Sequence, residues 1–391
     1  MREHWTLDPE ITFLNHGSFG ACPRVVLEAQ SELRARLERE PVRFFVYDLE
    51  RMLNDAREEV AAFVGARPSD LGFVRNATSG VNAVIRSLRF APGDELLVTD
   101  HGYHACQNAC AFVAERWGAK VVVAKLPWPV PSEDAVVDAI VDAVTERTRF
   151  ALVDHVTSPT GLVLPIARIV RALDERGVDT MVDGAHAPGM LDLDVPAIGA
   201  AWYTANFHKW TCAPKGAAML WAREDRQDGL HPAVISHGYD SGRPRSKFLE
   251  ELDWTGTDDP TPWLCVPVAL RFLDELVGWP AIRAQNRALA LEARSILCEA
   301  LGVEAPAPAS MIGSLAAVTL PDDHGGAPPA SALYANALQL ALFDEHRVQV
   351  PIPPWPAPPA RLVRISAHLY NSRAEYEKLA AALVELLARN N

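Results

Sequence analysis

The sequence predicts an α/β protein: a mostly parallel sheet with helices on both faces, followed by a smaller α+β C-terminal part. Three observations carry that expectation. Short apolar runs alternate with helical periods from about residue 70 to 222, the pattern of repeated strand–helix–strand units. Those runs are rich in Val, Leu and Ala with little polar alternation, as strands covered on both faces are. Past about residue 262 the pattern changes to long helices with short strands among them.

Residues 22–40 and 47–64 carry helical periodicity, with Pro41 between them as a break. Residues 95–99 read as a strand, 103–117 as a helix and 120–124 as a Val-rich strand. A helix over 132–147, with Ser132 as its N-cap, leads to a strand at 150–154. The helix 165–176 ends at Gly177, where glycine is favoured just past a C-terminus. Strands follow at 179–183, 201–205 and 216–221. Beyond them come helices at 263–277 and 280–301 and a last one from about 373, where Ser372 and Glu375 have capping-box spacing. The expected division is an arm over 1–20, a large domain over 21–262 and a small one over 263–391. The Pro-rich stretch 351–359 reads as a rigid surface loop or as a wall of a ligand site.

The 391 residues hold 37 Lys plus Arg against 50 Asp plus Glu, a formal charge of −13. That balance offers no general attraction to nucleic acid or an anionic membrane, so neither is an expected partner. With 49% hydrophobic and 22% charged residues the chain has enough apolar content to order itself. No apolar run approaches the ~20 residues that span a bilayer. The start, Met1-Arg2-Glu3-His4-Trp5, lacks the apolar core of a signal peptide, and six cysteines in so long a chain make no disulfide framework. A cytoplasmic protein is expected.

In an open parallel sheet, ligands bind outside the carboxyl ends of the strands, so the residues just past each apolar run carry the information. Asp183 ends one run and is followed by Gly184-Ala185-His186. Such a carboxylate binds a metal, orients a histidine or pairs with a cationic heterocycle. Lys209 stands between His208 and Trp210 after the next run. A lysine so embedded either pairs with an acid or loses its charge and becomes an amine nucleophile. Thr78, Ser79 and Gly80 open a helical segment, as an ordinary N-cap or as a phosphate cradle. Together the three features describe one site: a helix N-terminus for a phosphate, a carboxylate for a pyridinium and a lysine for an aldehyde. Those are the roles pyridoxal 5'-phosphate (PLP) requires.

Seven blocks in order then resemble the fold-type I, class V aminotransferase-like enzymes, in the branch of isopenicillin N epimerases. They are Phe13-Leu-Asn-His-Gly-Ser-Phe-Gly20, Arg75-Asn-Ala-Thr-Ser-Gly-Val-Asn82, Asp154-His-Val-Thr-Ser-Pro-Thr-Gly161, Asp183-Gly-Ala-His186, His208-Lys209, Trp254-Thr-Gly-Thr257 and Arg364-Ile-Ser-Ala-His-Leu-Tyr-Asn371. The resemblance implies that Lys209 bonds to the cofactor and Asp183 pairs with its ring nitrogen. It places His186 and Ser158 near the ring hydroxyl, and Thr78, Ser79, Asn206 and His208 around the phosphate. Tyr103 would stack on the ring, Arg364 would hold the substrate α-carboxylate, and Asn15 and His16 would lie at the substrate. Thr257 would reach the partner's site in a homodimer.

The resemblance extends to cysteine desulfurases and to ergothioneine-pathway C–S lyases. Desulfuration is disfavoured, because residues 346–355 carry no cysteine where those enzymes keep a reactive thiol on a loop. Epimerisation by α-proton removal stands slightly ahead of β-elimination, and it calls for a second proton donor, for which Tyr103, His104 and His16 are candidates. A different class of reading takes His101, His104 and Cys106 as metal ligands.

Overall fold

The computed structural model describes residues 1–323 and 336–389. Its strands are β1 (Thr12–Phe13), β2 (Leu71–Val74), β3 (Glu95–Thr99), β4 (Lys120–Ala124), β5 (Thr148–Asp154), β6 (Asp179–Asp183), β7 (Trp202–Asn206), β8 (Ala218–Ala222), β9 (Leu315–Leu320), β10 (Val348–Gln349) and β11 (Arg361–Ser366). Seven of them form the main sheet in the order β2-β8-β7-β6-β5-β3-β4. All pairings from β7 to β4 are parallel, and β8 alone runs against its neighbours. The expected α/β architecture is present.

The strand runs are apolar because helices cover both faces. One face packs on Phe73, Val153, Val182 and Met219, the other on Val98, Leu152, Met181 and Leu220. The parallel strands end along a common edge. Their order reverses at β3, with β4 on one side and β5 on the other, so the connections leaving β3 and β5 diverge and open a crevice there.

The first core continues without interruption from Trp5 through Tyr376 to Leu386, taking in residues on both sides of position 262. The N-terminal arm contributes β1, which pairs in parallel with β10. β9 and β11 form an antiparallel pair under the long helix Trp279–Leu301 and the last helix Arg373–Ala388. That last helix carries the Ser372–Glu375 capping box read from the sequence. No described helix is long and apolar enough to cross a membrane.

Two element boundaries differ from the sequence reading. Pro41 does not separate two helices but opens the second one, a position where its missing N–H costs nothing; the break falls at Glu40. A π-helical turn, Arg43–Asp48, then leads into the helix Leu49–Phe63. The helix capped by Ser132 stops at Asp142 instead of 147. Thr145 N–H donates to the Thr148 hydroxyl at 2.9 Å and the Thr145 hydroxyl donates to Glu95 at 2.5 Å, which pulls the chain into the turn that starts β5. Short polar side chains that bond locally compete with helix in this way.

Candidate active site

Lys209 sits in the turn between β7 and β8, and its backbone is held from two sides. Its carbonyl accepts from the Cys212 N–H at 2.9 Å and from His16 Nε2 at 2.9 Å. Its Nζ lies 3.0 Å from His186 Nε2, while His186 Nδ1 is 3.4 Å from the Trp210 indole nitrogen. An indole N–H only donates, so His186 Nδ1 accepts and the ring proton belongs on Nε2, facing the lysine. That arrangement suits a neutral amine. Burial pushes the Lys209 amine down to about 8, against the opposing pull of Asp183, and Arg364 lowers it further. His186 is held well below its ordinary range by burial and by the Lys209 charge.

Asp183 ends β6 and is buried. Its Oδ1 accepts from the Ala185 N–H at 2.9 Å, and its Oδ2 accepts from the Cys106 thiol at 3.3 Å. Burial raises its carboxyl above the ordinary range, and the Ala185 N–H and Lys209 offset part of that. Tyr103 caps the helix His104–Trp117 and remains 42% exposed. Burial of the phenol raises it, as do Cys106 and Asp183, whereas Arg364 lowers it, so Tyr103 lies within electrostatic reach of the same groups.

The helix Ala77–Ser87 points its N-terminus at this edge of the sheet. Its cap is Asn76, not Thr78 or Ser79: the Asn76 Oδ1 accepts from the Ser79 N–H at 2.8 Å and from the Ser79 hydroxyl at 3.1 Å. The Asn206 side-chain oxygen takes the Ala77 N–H at 2.8 Å. Thr78 and Ser79 are half-buried at this end. The helix can lie this close to β7 because residue 80 is glycine; a Cβ there would stand 2.2 Å from Thr204 Oγ1. His208 Nδ1 donates to the Ala217 carbonyl at 3.2 Å, and burial pushes the ring down to about 4. Its Nε2 then donates only if the ring becomes an imidazolium, which a phosphate dianion would favour.

Arg364, on β11, is buried. Its Nη1 donates to the Ser158 carbonyl at 2.5 Å and its Nη2 to the Ser18 hydroxyl at 2.9 Å; the Ser18 hydroxyl donates in turn to Asn15 Oδ1 at 2.5 Å. No carboxylate within the described residues pairs with it, its Nε is buried without a partner, and burial lowers the guanidinium to about 10.

The structure therefore brings Lys209, Asp183, His186, Asn206, His208, Tyr103, Thr78, Ser79 and Arg364 to one edge of the sheet. It sets other expected residues apart. His16 is fully buried behind the Lys209 turn, with Nδ1 at 2.6 Å from the Tyr370 hydroxyl and Nε2 on the Lys209 carbonyl. Both ring nitrogens are engaged, so it clamps the lysine backbone and has no free nitrogen for a substrate. Ser158 is tied to Arg364, through its carbonyl and, at 3.4 Å, its hydroxyl. His104 is exposed on the first turn of its helix. Thr257 is exposed on the segment before the short helix Thr261–Leu264.

His101, His104 and Cys106 do not form a metal site. His101 is buried with Nδ1 at 2.8 Å from the Thr160 hydroxyl and its ring against Trp355, while Cys106 bonds to Asp183. Among the described residues the group with metal-like spacing is His16, Cys212 and His368. Its two imidazoles stack with centroids 4.1 Å apart and planes 24° apart, so their in-plane lone pairs run side by side instead of converging. The Pro-rich loop has an exposed tip and a buried anchor. Residues 356–359 are exposed, and Trp355 is buried against His101 and Trp128.

Sequence reasoning missed Ser18, Asn76, Asp154 and Trp210, and it named Cys106 only as a metal ligand, not as a donor to Asp183. Ser18, Asn76 and Trp210 stood inside or beside the motifs already singled out. Asp154 ends β5 as Asp183 ends β6, and only Cys106 had no local signal.

The donor set fits PLP. A buried amine, a buried carboxylate held by two donors with its remaining lone pairs open, and a helix N-terminus lined by hydroxyls complement its aldehyde, ring nitrogen and phosphate. Comparison with known proteins agrees. Residues 13–379 match the Aminotransferase class-V family. The chain is 38% identical to an isopenicillin N epimerase from Amycolatopsis lactamdurans, over 98% of this chain and 97% of that one. It is 32% identical to a probable chloroplastic L-cysteine desulfhydrase from Arabidopsis thaliana, over 96% of this chain and 83% of that one. Among solved structures it resembles C-DES carrying glycine covalently linked to its PLP cofactor, with TM-score 0.80, 20% identity and coverage of 98% and 99% of the two chains. It also resembles a cysteine desulfurase from Escherichia coli, with TM-score 0.79, 22% identity and coverage of 99% and 98%. With its fold, its lysine–aspartate pair and this match across nearly all its length, the chain belongs to the class V aminotransferase family and is a PLP-dependent enzyme of fold type I.

Proposed function

We propose that the enzyme acts at the α-carbon of an amino acid, removing its α-proton and returning one to the opposite face, an epimerase- or racemase-type reaction. The observation that carries this reading is Arg364. A buried guanidinium with no carboxylate partner among the described residues is costly to keep, and a substrate α-carboxylate is the group that would complete it bidentately. PLP, when bound, supplies an electron sink for the electron pair left at the α-carbon. Lys209, whose amine burial pushes down to about 8, takes the proton. Tyr103, partly exposed and facing Asp183 and Arg364 electrostatically, is the proposed donor to the other face. His104 and His16 drop out of that role, the first as a solvent-facing residue and the second as a buried clamp.

The isopenicillin N epimerases among the relatives support this reading, while their particular substrate is not carried over. The L-cysteine desulfhydrases favour a second one, β-elimination at a C–S bond, which needs the same base but a leaving group at the β-carbon. Persulfide-forming desulfuration finds no support, since Cys22, Cys106, Cys110, Cys212 and Cys265 are buried and Cys298 lies on the helix Trp279–Leu301. We also infer a homodimer in which Thr257 reaches the partner's cofactor site. Exposed Val42, Val46 and Tyr47, together with Val234, Ile235 and Tyr239, are apolar surface that a second copy would cover.

Deuterium exchange separates the reactions. Incubated with single enantiomers of candidate amino acids in heavy water, an epimerase washes deuterium into the α-position and inverts the centre without net loss of substrate. Steady release of ammonia and a keto acid would instead establish the lyase. Y103F should keep exchange while losing inversion; inversion at the wild-type rate would remove Tyr103 as second donor.

A further inference from the structure

Asp154 and Asp183 end the neighbouring parallel strands β5 and β6 in direct register. Residues so paired point to the same face of a sheet whose strands are about 4.8 Å apart. Both are buried, at 4% and 3% exposure. The groups facing Asp154 are Asp183 from β6, Lys209 from the β7–β8 turn and Cys106 from the helix His104–Trp117. The Tyr103 backbone lies near enough to lower it somewhat, without a hydrogen bond joining the two. A Cβ on Gly102 would stand 3.2 Å from its Oδ2, so the turn before Tyr103 lies directly against this carboxyl. One buried amine thus meets two buried carboxyls.

Two carboxylates this close in a dry site do not both ionise. Their partners decide which one keeps the proton. Asp183 has the Ala185 N–H, the Cys106 thiol and Lys209 to stabilise its charge. Asp154 accepts no comparable hydrogen bond among the described residues and lies against the Asp183 charge; burial, and then Asp183, hold it well above the ordinary carboxyl range.

We propose that the two carboxyls work as one unit, in which Asp154 is the neutral, protonated member that anchors the Gly102–Tyr103 turn and leaves the single negative charge on Asp183. This rests on Asp183 being the partner of the ring nitrogen. Asp154 is thereby a positioning residue. It fixes the aromatic residue expected over the cofactor and leaves a single carboxylate, Asp183, for the ring nitrogen.

The test compares D154N, which mimics a neutral acid, with D154L, which has the size but no polar atoms. In the holoenzyme, D154N should leave the pH midpoint of the yellow chromophore within a few tenths of a unit of wild type and leave PLP affinity unchanged. D154L should weaken PLP binding tenfold or more, measured by titrating the apoprotein and following its fluorescence. A midpoint shift of a unit or more in D154N would mean that Asp154 carries charge and would overturn the proposal. Wild-type PLP affinity in D154L would overturn the anchoring. Infrared spectra keep the question decidable if a variant fails to fold. The wild-type protein should show the C=O stretch of a protonated carboxyl at pH 8, and its absence would sink the idea. A wild-type protein with no chromophore after PLP addition would instead count against the cofactor assignment, and the infrared band would still test the pair.

Discussion

In the proposed reaction the deciding residue is Lys209, and the readiness of its amine depends on the indole of the next residue, which acts on it only through His186. Trp210 Nε1 donates to His186 Nδ1, which turns the His186 proton toward the lysine amine and makes the neutral form of Lys209 the better partner. W210F removes that donor, lets His186 take the other tautomer and should raise the Lys209 pKa. The rate of imine formation between apoprotein and PLP should then fall several-fold at pH 7.5 and recover by pH 10; an unchanged pH–rate midpoint would show that the indole has no such influence. Arg364 makes the opposite kind of point. Among the described residues it is held by Ser158 and Ser18 alone, so R364Q relieves a buried charge and should not lower the melting temperature. The same change should cost about 2–5 kcal/mol in kcat/KM, as truncating one partner of a buried charge pair does. A loss of stability without a loss of kcat/KM would assign Arg364 to the fold instead of to the substrate.

Among the elements, the helix Ala77–Ser87 matters most, because its N-terminus must reach the carboxyl edge of the sheet. Gly80 permits that approach to β7. G80A should destabilise the protein by about 1–3 kcal/mol through overpacking and weaken PLP binding. T204S leaves the clashing oxygen, whereas T204A removes it, so T204A alone should recover part of the loss in a double-mutant cycle. Additive effects would show that the two residues do not meet. The sequence read the elements well where apolar runs are bounded by polar residues: Glu95–Thr99, Lys120–Ala124 and Asp179–Asp183 coincide with β3, β4 and β6. It failed at residues 143–147, where Thr145 and Thr148 side chains override helical periodicity. The site was legible in Lys209 and Asp183 because each follows a strand run. Cys106 was not, since its partner Asp183 is 77 positions away and only the packing of a helix on the sheet brings them together. His16 failed differently: it lies in a motif with site residues, yet the fold uses it from behind, and no spacing rule tells the two sides of a lysine apart.

For the whole molecule, the buried histidines set the response to acid. Burial pushes His16 and His101 down to about 3, and His155 and His208 down to about 4, from an ordinary value near 6.5. Burial holds His186 and His368 well below that value too, so between those limits the unfolded chain binds protons at six positions that the folded chain leaves neutral, and stability rises with pH there and is lost as pH falls from 6.5 toward 4. Each additional proton on the unfolded chain steepens the loss by about 1.4 kcal/mol per pH unit. Asp154 and Asp183 act the other way, since carboxyls raised by burial take up protons in the folded state before the unfolded chain does. Asp100 is raised by burial as well, and six histidines against three carboxyls leave a net loss across this window. Lys209, depressed to about 8, contributes in the same sense above pH 8, where the unfolded amine alone is charged, but the thiols of the six cysteines, raised by burial, keep their protons in the folded state there and act against it. Denaturant midpoints of the apoprotein from pH 4 to 7 should therefore climb steeply. H101N, which removes one titrating ring from a site where the Thr160 hydroxyl still finds a partner, should flatten the slope by about one proton; an identical slope would mean that His101 is already charged in the folded protein.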